Sequence, residues 1–478
     1  IVRMLWTRLG HETFVGGVGR YLQSHDGGAA TIEDFIAALE QQSGQSLSGF
    51  RDWYSQSGTP HIKARSHYDP ESQSFWLSLE QSHPPTADQN EKRCLPIPVG
   101  LALWNRQGEK LTLAAQPNWM PEQEILLLDG ARHQWRWEGI DQPPVPSLLR
   151  GFSAPVELDF DQGADAQAFL LIHESDGFAR WNAVQQLIRS ALAALMQADQ
   201  GEPAQILLDA LQQLVAHQRQ DDALLAELLR LPTNHALSSM FASLDPLKLD
   251  QARTRLRQLI AQALTGPLSV WCNWSPGENT ANDRGRRALS AVALWYLCAL
   301  ESGPVTKLAL TRSRSPNMAV AGAALNALND VPGEVRTQAL TEFKQRFQND
   351  PLVLDKWFAL QAGSASGDGL QRIGELIRHP DYSDNPNRCR AVFGTLMREN
   401  AVVFHRQDGA GYRLLAEKVA QLDSSNPQLA ARLVEGLLNW RKFAPAYAGR
   451  MRQTVVALAD QIRTVDVREK IEKALAAG

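Results

Sequence analysis

Two histidine–glutamate pairs come first, because His-Glu-x-x-His on a helix turns two imidazoles toward one cation while the glutamate between them acts on bound water. His11-Glu12 is followed at the fifth position of that pattern by Val15, and His173-Glu174 by Gly177. Neither pair has its second imidazole, so both histidines read as exposed or capping residues. Asp159, Asp161 and Asp165 imitate the opening of a calcium loop, yet Gly163 stands at the fifth position and Leu170 where the bidentate glutamate belongs. A turn at a domain junction is the plainer reading. Gly151-Phe152-Ser153-Ala154-Pro155 imitates a nucleophile elbow, but Pro155 replaces the closing glycine and the run reads as a strand. The glycines at 16, 17 and 19, and those from Gly363 to Gly369, lack dinucleotide or phosphate-loop spacing and read as helix breaks or loops. By themselves these residues form no catalytic constellation.

The composition narrows the class. Cys94, Cys272, Cys298 and Cys389 lie far apart with no C-x-x-C pair, so neither a disulfide framework nor a thiolate zinc site is signalled, and a reducing, cytoplasmic setting is expected. Lys plus Arg total 48 against 52 Asp plus Glu, a net charge of -4 that lacks the excess used to hold a phosphate backbone; no nucleic-acid partner is expected. The longest apolar run, Ala291 to Leu300, is far short of the roughly 20 residues of a membrane span and reads as a buried helix, so no membrane partner is expected either. With 44% hydrophobic and 21% charged residues the chain is globular, and at roughly 100 to 200 residues per domain its length suggests about three domains. It opens at Ile1, not at a methionine, with apolar residues at helical spacing from the start, so it is expected to begin mid-helix as a fragment of a longer product.

The elements fall into three regions. Residues 1–58 are helical: Met4, Leu5 and Leu9 share a stripe, Asp26-Gly27-Gly28 breaks the chain, and Thr31 with Asp34 three residues later can cap the next helix. Residues 59–155 alternate apolar and polar positions in strands expected at 61–68, 74–81, 95–104, 109–115, 124–130 and 133–140, with turns at Asn105 to Gly108 and Asp129-Gly130. This predicts a small, Ig-like β-sandwich without the Cys-Trp-Cys pattern of antibodies. Residues 156–478 return to helical periodicity, broken at Leu231-Pro232, Ser315-Pro316, Asp330 to Gly333, Asp350-Pro351, Asn385-Pro386 and Asn426-Pro427. Helices this amphipathic must stack on one another. The fold class is mainly α, a solenoid or curved bundle preceded by a β domain and a short helical remnant.

One junction is more specific. Trp53-Tyr54-Ser55-Gln56-Ser57-Gly58-Thr59-Pro60 resembles the W-x-x-Q-x-G-x-P junction of zinc-dependent aminopeptidases. Further runs agree in order: HDGGAATIEDFIAAL at 25–39, LLRGFSAPV at 148–156, RWNAVQQL at 180–187, DKWFALQA at 355–362, NPNRCR at 385–390, FHRQDGAGY at 404–412 and NPQLAARLVEGL at 426–437. Together they resemble the bacterial aminopeptidase N family over essentially the whole chain. The resemblance implies a four-part enzyme, of which residues 1–58 match the helical end of the catalytic domain, 59–155 the β-sandwich and 156–478 the helical domain that covers the active site. It implies Zn2+ in the parent enzyme, held upstream of Ile1 with no ligand in this chain, peptide substrates, and a monomer.

The same resemblance places Arg390 of NPNRCR, and Gln428 and Arg432 of NPQLAARL, on the substrate channel, with Arg388 as a second candidate; no catalytic and no metal-binding residue is carried over. Arginine suits such a place because its planar fork pairs with a carboxylate or with backbone carbonyls. Against this stands the plainer role of an arginine near a helix end, which is to satisfy the last carbonyls or make a weak surface pair. Trp53, Tyr54 and Trp357 read as packing anchors. The rival to the enzyme reading is a non-catalytic solenoid whose concave face binds a peptide or protein.

Overall fold

The computed structural model describes residues 1–86, 88–197, 201–216, 221–274 and 283–476. They form two compact units, Ile1–Leu187 and Ile188–Gly478.

The first unit opens with helices Val2–Leu9, His11–His25 and Ile32–Ser43. Thr31 starts the third as expected: its hydroxyl accepts from the Asp34 amide at 3.2 Å, and the Asp34 carboxylate accepts from the Thr31 amide at 2.8 Å. Two four-stranded sheets follow. The strands are β1 (His61–Asp69), β2 (Ser74–Ser82), β3 (Ile97–Trp104), β4 (Trp119–Met120), β5 (Ile125–Leu128), β6 (Arg132–Trp137), β7 (Val145–Leu148) and β8 (Glu157–Asp159). One sheet runs β6-β2-β1-β8 and the other β4-β5-β3-β7. Between them Ile62, Phe75, Leu77, Leu79, Val99 and Trp137 are buried in one apolar cluster, the inner face a sandwich requires.

Two strand expectations fail here. Residues 109–115 make only a single bridge, Lys110 to Trp104, with the Leu111 amide donating to the Leu103 carbonyl at 2.8 Å; beyond it the Ala114 carbonyl accepts from the indole N–H of Trp137 at 3.2 Å instead of from a strand. Residues 151–155 are not a strand: Arg150–Phe152 is a 3-10 turn with Leu149, Gly151 and Phe152 all at positive φ. Two interactions hold it. The Ser153 hydroxyl accepts from the Gly100 amide at 2.9 Å, and Arg150 is drawn inward to the buried Glu174 at 3.2 Å.

The W-x-x-Q-x-G-x-P junction is a clamp. The Trp53 indole donates to the Pro96 carbonyl at 3.0 Å, and the Gln56 amide bonds the Arg93 backbone both ways, accepting at 2.8 Å and donating at 3.1 Å. The Lys92 ammonium then donates to the Ser57 carbonyl and to Thr86 Oγ1 and Gln89 Oε1 between 2.7 and 3.0 Å. The motif thus ties the end of the helical segment to the connection between β2 and β3. Tyr54, expected to pack, is instead exposed.

The second unit is helical, and its boundaries follow the proline breaks. Asp350, Asn385 and Asn426 are N-caps whose side chains accept from amides of the first turn, each followed by proline at the first helical position, where a missing N–H costs nothing. The apolar run from Ala291 lies in helix Asp283–Cys298, its Tyr296 hydroxyl donating to the Leu229 carbonyl at 2.6 Å. No helix among the described residues is long and apolar enough to cross a membrane.

Polar side chains tie successive turns together. Asn329 donates to the Leu360 carbonyl (2.7 Å), Ser364 to the Asn329 carbonyl (2.7 Å), and Asn400 to the carbonyls of Ala362 and Ser364 (both 2.9 Å). Arginines do the same: Arg253 to Pro232 (2.7 Å), Arg257 to Trp295 (3.1 Å), Arg336 to Asn329 (2.7 Å) and Arg346 to Arg314 (2.7 Å). Apart from that of Pro232, which lies in a connection, these carbonyls end helices and would otherwise be orphaned on burial, so the arginines that reach them meet both the lone pair and the negative end of a helix dipole.

Candidate functional site

The candidate residues lie on two helical rods. The first runs from Pro386–Cys389 through one π turn, Arg390–Gly394, into Thr395–Glu399. The second is Pro427–Leu433 followed by Glu435–Leu438. They meet at Gly436: a Cβ there would lie 2.6 Å from the Met397 sulfur and 3.2 Å from Leu415, so a larger residue would have to displace the Met397 side chain.

Arg388 points inward and is consumed there. Only 4% of its side chain is exposed; Nε donates to Asp355 Oδ1 at 2.6 Å, another nitrogen donates to the Asp381 carbonyl, and the guanidinium lies 4.2 Å from the centre of the Phe358 ring. Its role in the structure is to fasten the rod. Arg390, two residues on, is exposed and folded along its own helix, Nε to the Pro386 carbonyl at 3.0 Å and Nη2 to Asn387 Oδ1 at 2.6 Å. π turns recur where a helix has to offer a side chain out of register, and here the turn begins at Arg390.

Gln428 and Arg432 stand four residues apart and exposed on Pro427–Leu433, with Gly436 next in the same stripe. Among the described residues no hydrogen bond or ion pair ends on either side chain. The structure therefore joins Gln428 with Arg432, brings their rod against the rod of Arg390, and sets Arg388 apart as an internal support. No hydrogen bond links Arg390 to the pair.

Beneath the π turn lies a polar cluster that sequence reading missed. The Lys418 ammonium, on helix Ala410–Asp423, donates to Asp384 at 2.5 Å and sits 5.6 and 5.9 Å from the rings of Tyr382 and Phe393. The Tyr382 hydroxyl is 3.6 Å from the Cys389 sulfur. Burial pushes the Tyr382 phenol above its ordinary range, with Cys389 adding to it, and burial likewise raises the Cys389 thiol, so both stay protonated and the cluster carries one ion pair. A signal was present in the sequence: Leu415, Val419 and Leu422 make an apolar stripe, and a lysine inside it at 418 has to find a partner.

Comparison with known proteins gives this architecture its class. Residues 164–476 match the family described as "Domain of unknown function (DUF3458_C) ARM repeats", and residues 58–161 match "Domain of unknown function (DUF3458) Ig-like fold". The chain belongs to this family, an Ig-like domain joined to ARM-type helical repeats. Over its whole length it is similar to bacterial aminopeptidase N. The protein of that name from Escherichia coli (strain K12) is 33% identical over 486 residues, covering 100% of this chain and 56% of its own length. That of Haemophilus influenzae is 35% identical, with 99% and 55% covered, and that of Caulobacter vibrioides 36%, with 95% and 52%. A crystal structure of Legionella pneumophila aminopeptidase A in complex with aspartic acid superposes with a TM-score of 0.85 at 26% identity, covering all of this chain and 56% of that one. The chain spans about half the length of the curated relatives it matches.

Proposed function

We propose that this chain is the roof and substrate channel of a cytoplasmic, monomeric zinc aminopeptidase that releases N-terminal residues from peptides. The observation that carries the reading is the superposition of the entire chain on an aminopeptidase at a TM-score of 0.85. Among the described residues no three histidine, cysteine, aspartate or glutamate side chains lie together as a metal would need. These residues do not fit a zinc cradle.

What this chain's residues offer is recognition. Arg432 and Gln428 hold unpaired donors on one helix face, suited to backbone carbonyls or the far carboxylate of a bound peptide. Arg390 adds a cation on the adjoining rod, while Arg388 keeps that rod in place through Asp355. A covering domain of this kind excludes bulk water and folded proteins, which strengthens polar contacts inside.

In the full-length gene product, Arg432→Ala is expected to weaken hydrolysis of short peptides more than that of a one-residue chromogenic amide, because only the peptide extends toward the channel. Equal effects on both substrates would remove Arg432 from the site. The 478-residue chain alone is expected not to cleave the chromogenic amide. Cleavage by the short chain would contradict the assignment, and inactivity of both forms would favour a peptide-binding scaffold.

A further inference from the structure

We infer that the groove between helices Ala410–Asp423 and Pro445–Ala459 is a second peptide site, which takes a free dipeptide by its two charged ends, the carboxylate on Arg413 and Arg450 and the ammonium on Glu417. It is lined by none of the residues assigned to the channel, and it goes beyond that reading without resting on it.

The two helices run side by side in the same direction. Near their starts Tyr412 and Tyr447 meet the same His405 ring, at centroid distances of 5.6 and 6.2 Å, and beyond their ends Asp423 accepts from the amides of Arg463 and Thr464 at 2.7 and 3.2 Å. Between them lies a groove of about 520 Å³, within the size range of small-ligand sites. The buried Ala416 and Leu458 give it apolar lining, with Arg413 and Glu417 on one helix and Arg450 and Gln453 on the other.

The charged groups of this groove do not use one another. Among the described residues no ion pair joins Glu417 to either arginine, although all three line the same space. Each guanidinium is anchored through one nitrogen instead: Arg413 Nη1 donates to the Asp408 carbonyl at 2.8 Å, and Arg450 Nη1 to the Ala446 carbonyl at 3.1 Å. Their other donors meet no acceptor among the described residues, so two partly oriented forks are left for a ligand, which lowers the ordering cost of binding one. Asp408 does not fill that place. Its carboxylate is engaged by Arg406 at 2.7 Å and by the Ala410 amide at 3.0 Å, and Arg413 acts on it less than Arg406 does.

The spacing selects the ligand. Arg413 and Glu417 are one helical turn apart, about 6 Å along the axis. Two extended residues span up to about 7 Å, so the termini of a dipeptide reach both groups, whereas the two charges of a single amino acid sit on one carbon. A guanidinium fork suits the carboxylate, and Gln453, which bonds nothing else among the described residues, can meet the peptide amide.

The test is a ligand-observed NMR titration of the 478-residue chain with alanyl-alanine, its N-acetyl derivative, its C-terminal amide and free alanine. The same ligands are titrated into Glu417→Gln, Arg432→Gln and the double variant Arg413→Gln/Arg450→Gln, with circular dichroism confirming that each is folded. The wild type is expected to bind alanyl-alanine about three- to tenfold more tightly than each of the other three at low salt, the range of one exposed charge-assisted contact. The double arginine variant should lose the preference over the amide and keep that over the acetylated form; Glu417→Gln should do the reverse. Uniform weakening of all ligands by these variants is the mark of a structural role and overturns the site. Alanine bound as tightly as alanyl-alanine overturns it too, since the spacing then selects nothing. If Arg432→Gln abolishes binding and the double variant does not, the dipeptide sits in the channel: the groove site falls and the channel reading stands. A wild type that prefers none of the four ligands overturns the groove site and leaves the channel reading as it was.

Discussion

Lowering the pH should loosen the second unit through one histidine. His405 is 6% exposed, its Nδ1 lies 2.8 Å from the Tyr412 hydroxyl, and the rings of Phe404, Tyr412, Phe443 and Tyr447 surround it at centroid distances of 4.7 to 6.2 Å. Burial pushes its pKa down to about 3, offset only in part by Asp245. The unfolded chain titrates at the ordinary value of about 6.5. Between those values the unfolded state holds the extra proton, so stability is complete above about pH 6.5 and falls as pH drops toward 3. From pH 6.5 to 4.5 the loss is two pH units, about 3 kcal/mol, and the full window amounts to about 5 kcal/mol. Other groups titrate in the same range, so the measurement is a difference: urea unfolding of wild type and His405→Gln at pH 7.0 and 4.5, followed by hydrogen exchange in helix Ala410–Asp423. His405→Gln should be less stable at pH 7.0, since the Tyr412 hydroxyl loses its ring partner, and less sensitive to acid by about 3 kcal/mol. Parallel pH dependences in the two proteins would refute the idea that a buried neutral imidazole governs acid stability here.

Other perturbations have expected signs and sizes. Asp384→Ala leaves the Lys418 ammonium, 6% exposed, without its carboxylate and should cost about 3 kcal/mol, whereas Lys418→Met leaves Asp384, 52% exposed, to water and should cost about 1 kcal/mol; chemical denaturation reads the asymmetry, and equal costs would contradict it. Gly411→Ala places a Cβ 2.4 Å from the Phe404 carbonyl oxygen and 2.5 Å from that of Val403, and should lower stability by about 2 to 3 kcal/mol in the same assay, a neutral effect contradicting the close approach. Asn400→Ala removes two carbonyl bonds and an N-cap contact to Val403 at 3.2 Å, and should cost about 2 kcal/mol with faster exchange at residues 400–404.

The legible parts of the fold were those decided within a few residues. Asn426-Pro427 announces a helix start because cap and proline are adjacent residues acting on the same first turn, and 61–68 against 74–81 alternates because each strand keeps one face inward. Residues 109–115 alternate too, but past Leu111 the Ala114 carbonyl is bonded by the indole of Trp137, a partner the local run does not show. The turn at 150–152 depends on Glu174 and on a glycine at 100, neither visible from the local run. β4, β7 and β8 are two to four residues long and leave little periodicity to read. In the site, the spacing of Gln428, Arg432 and Gly436 was readable as one helix face. The inward turn of Arg388 was not, since its partner Asp355 is 33 positions away.

Arginine shows why residue type alone could not decide the site. A buried guanidinium loses its hydration and has to recover it from several acceptors at fixed places, which helix ends supply in quantity. Arg257 and Arg336 follow that logic, and burial pulls both to a pKa of about 10 while their carbonyl bonds persist. Arg388 sits among them in all but its sequence neighbours. An exposed guanidinium has water for its donors and no need of a built partner, so the fold exerts no demand for arginine at 432. Glutamine or lysine would serve the helix equally well at that position. If function makes the demand, Arg432→Gln should leave thermal unfolding unchanged within about 0.5 kcal/mol while shifting peptide selectivity. A loss of stability as large as that of Asn400→Ala would instead return Arg432 to the scaffold.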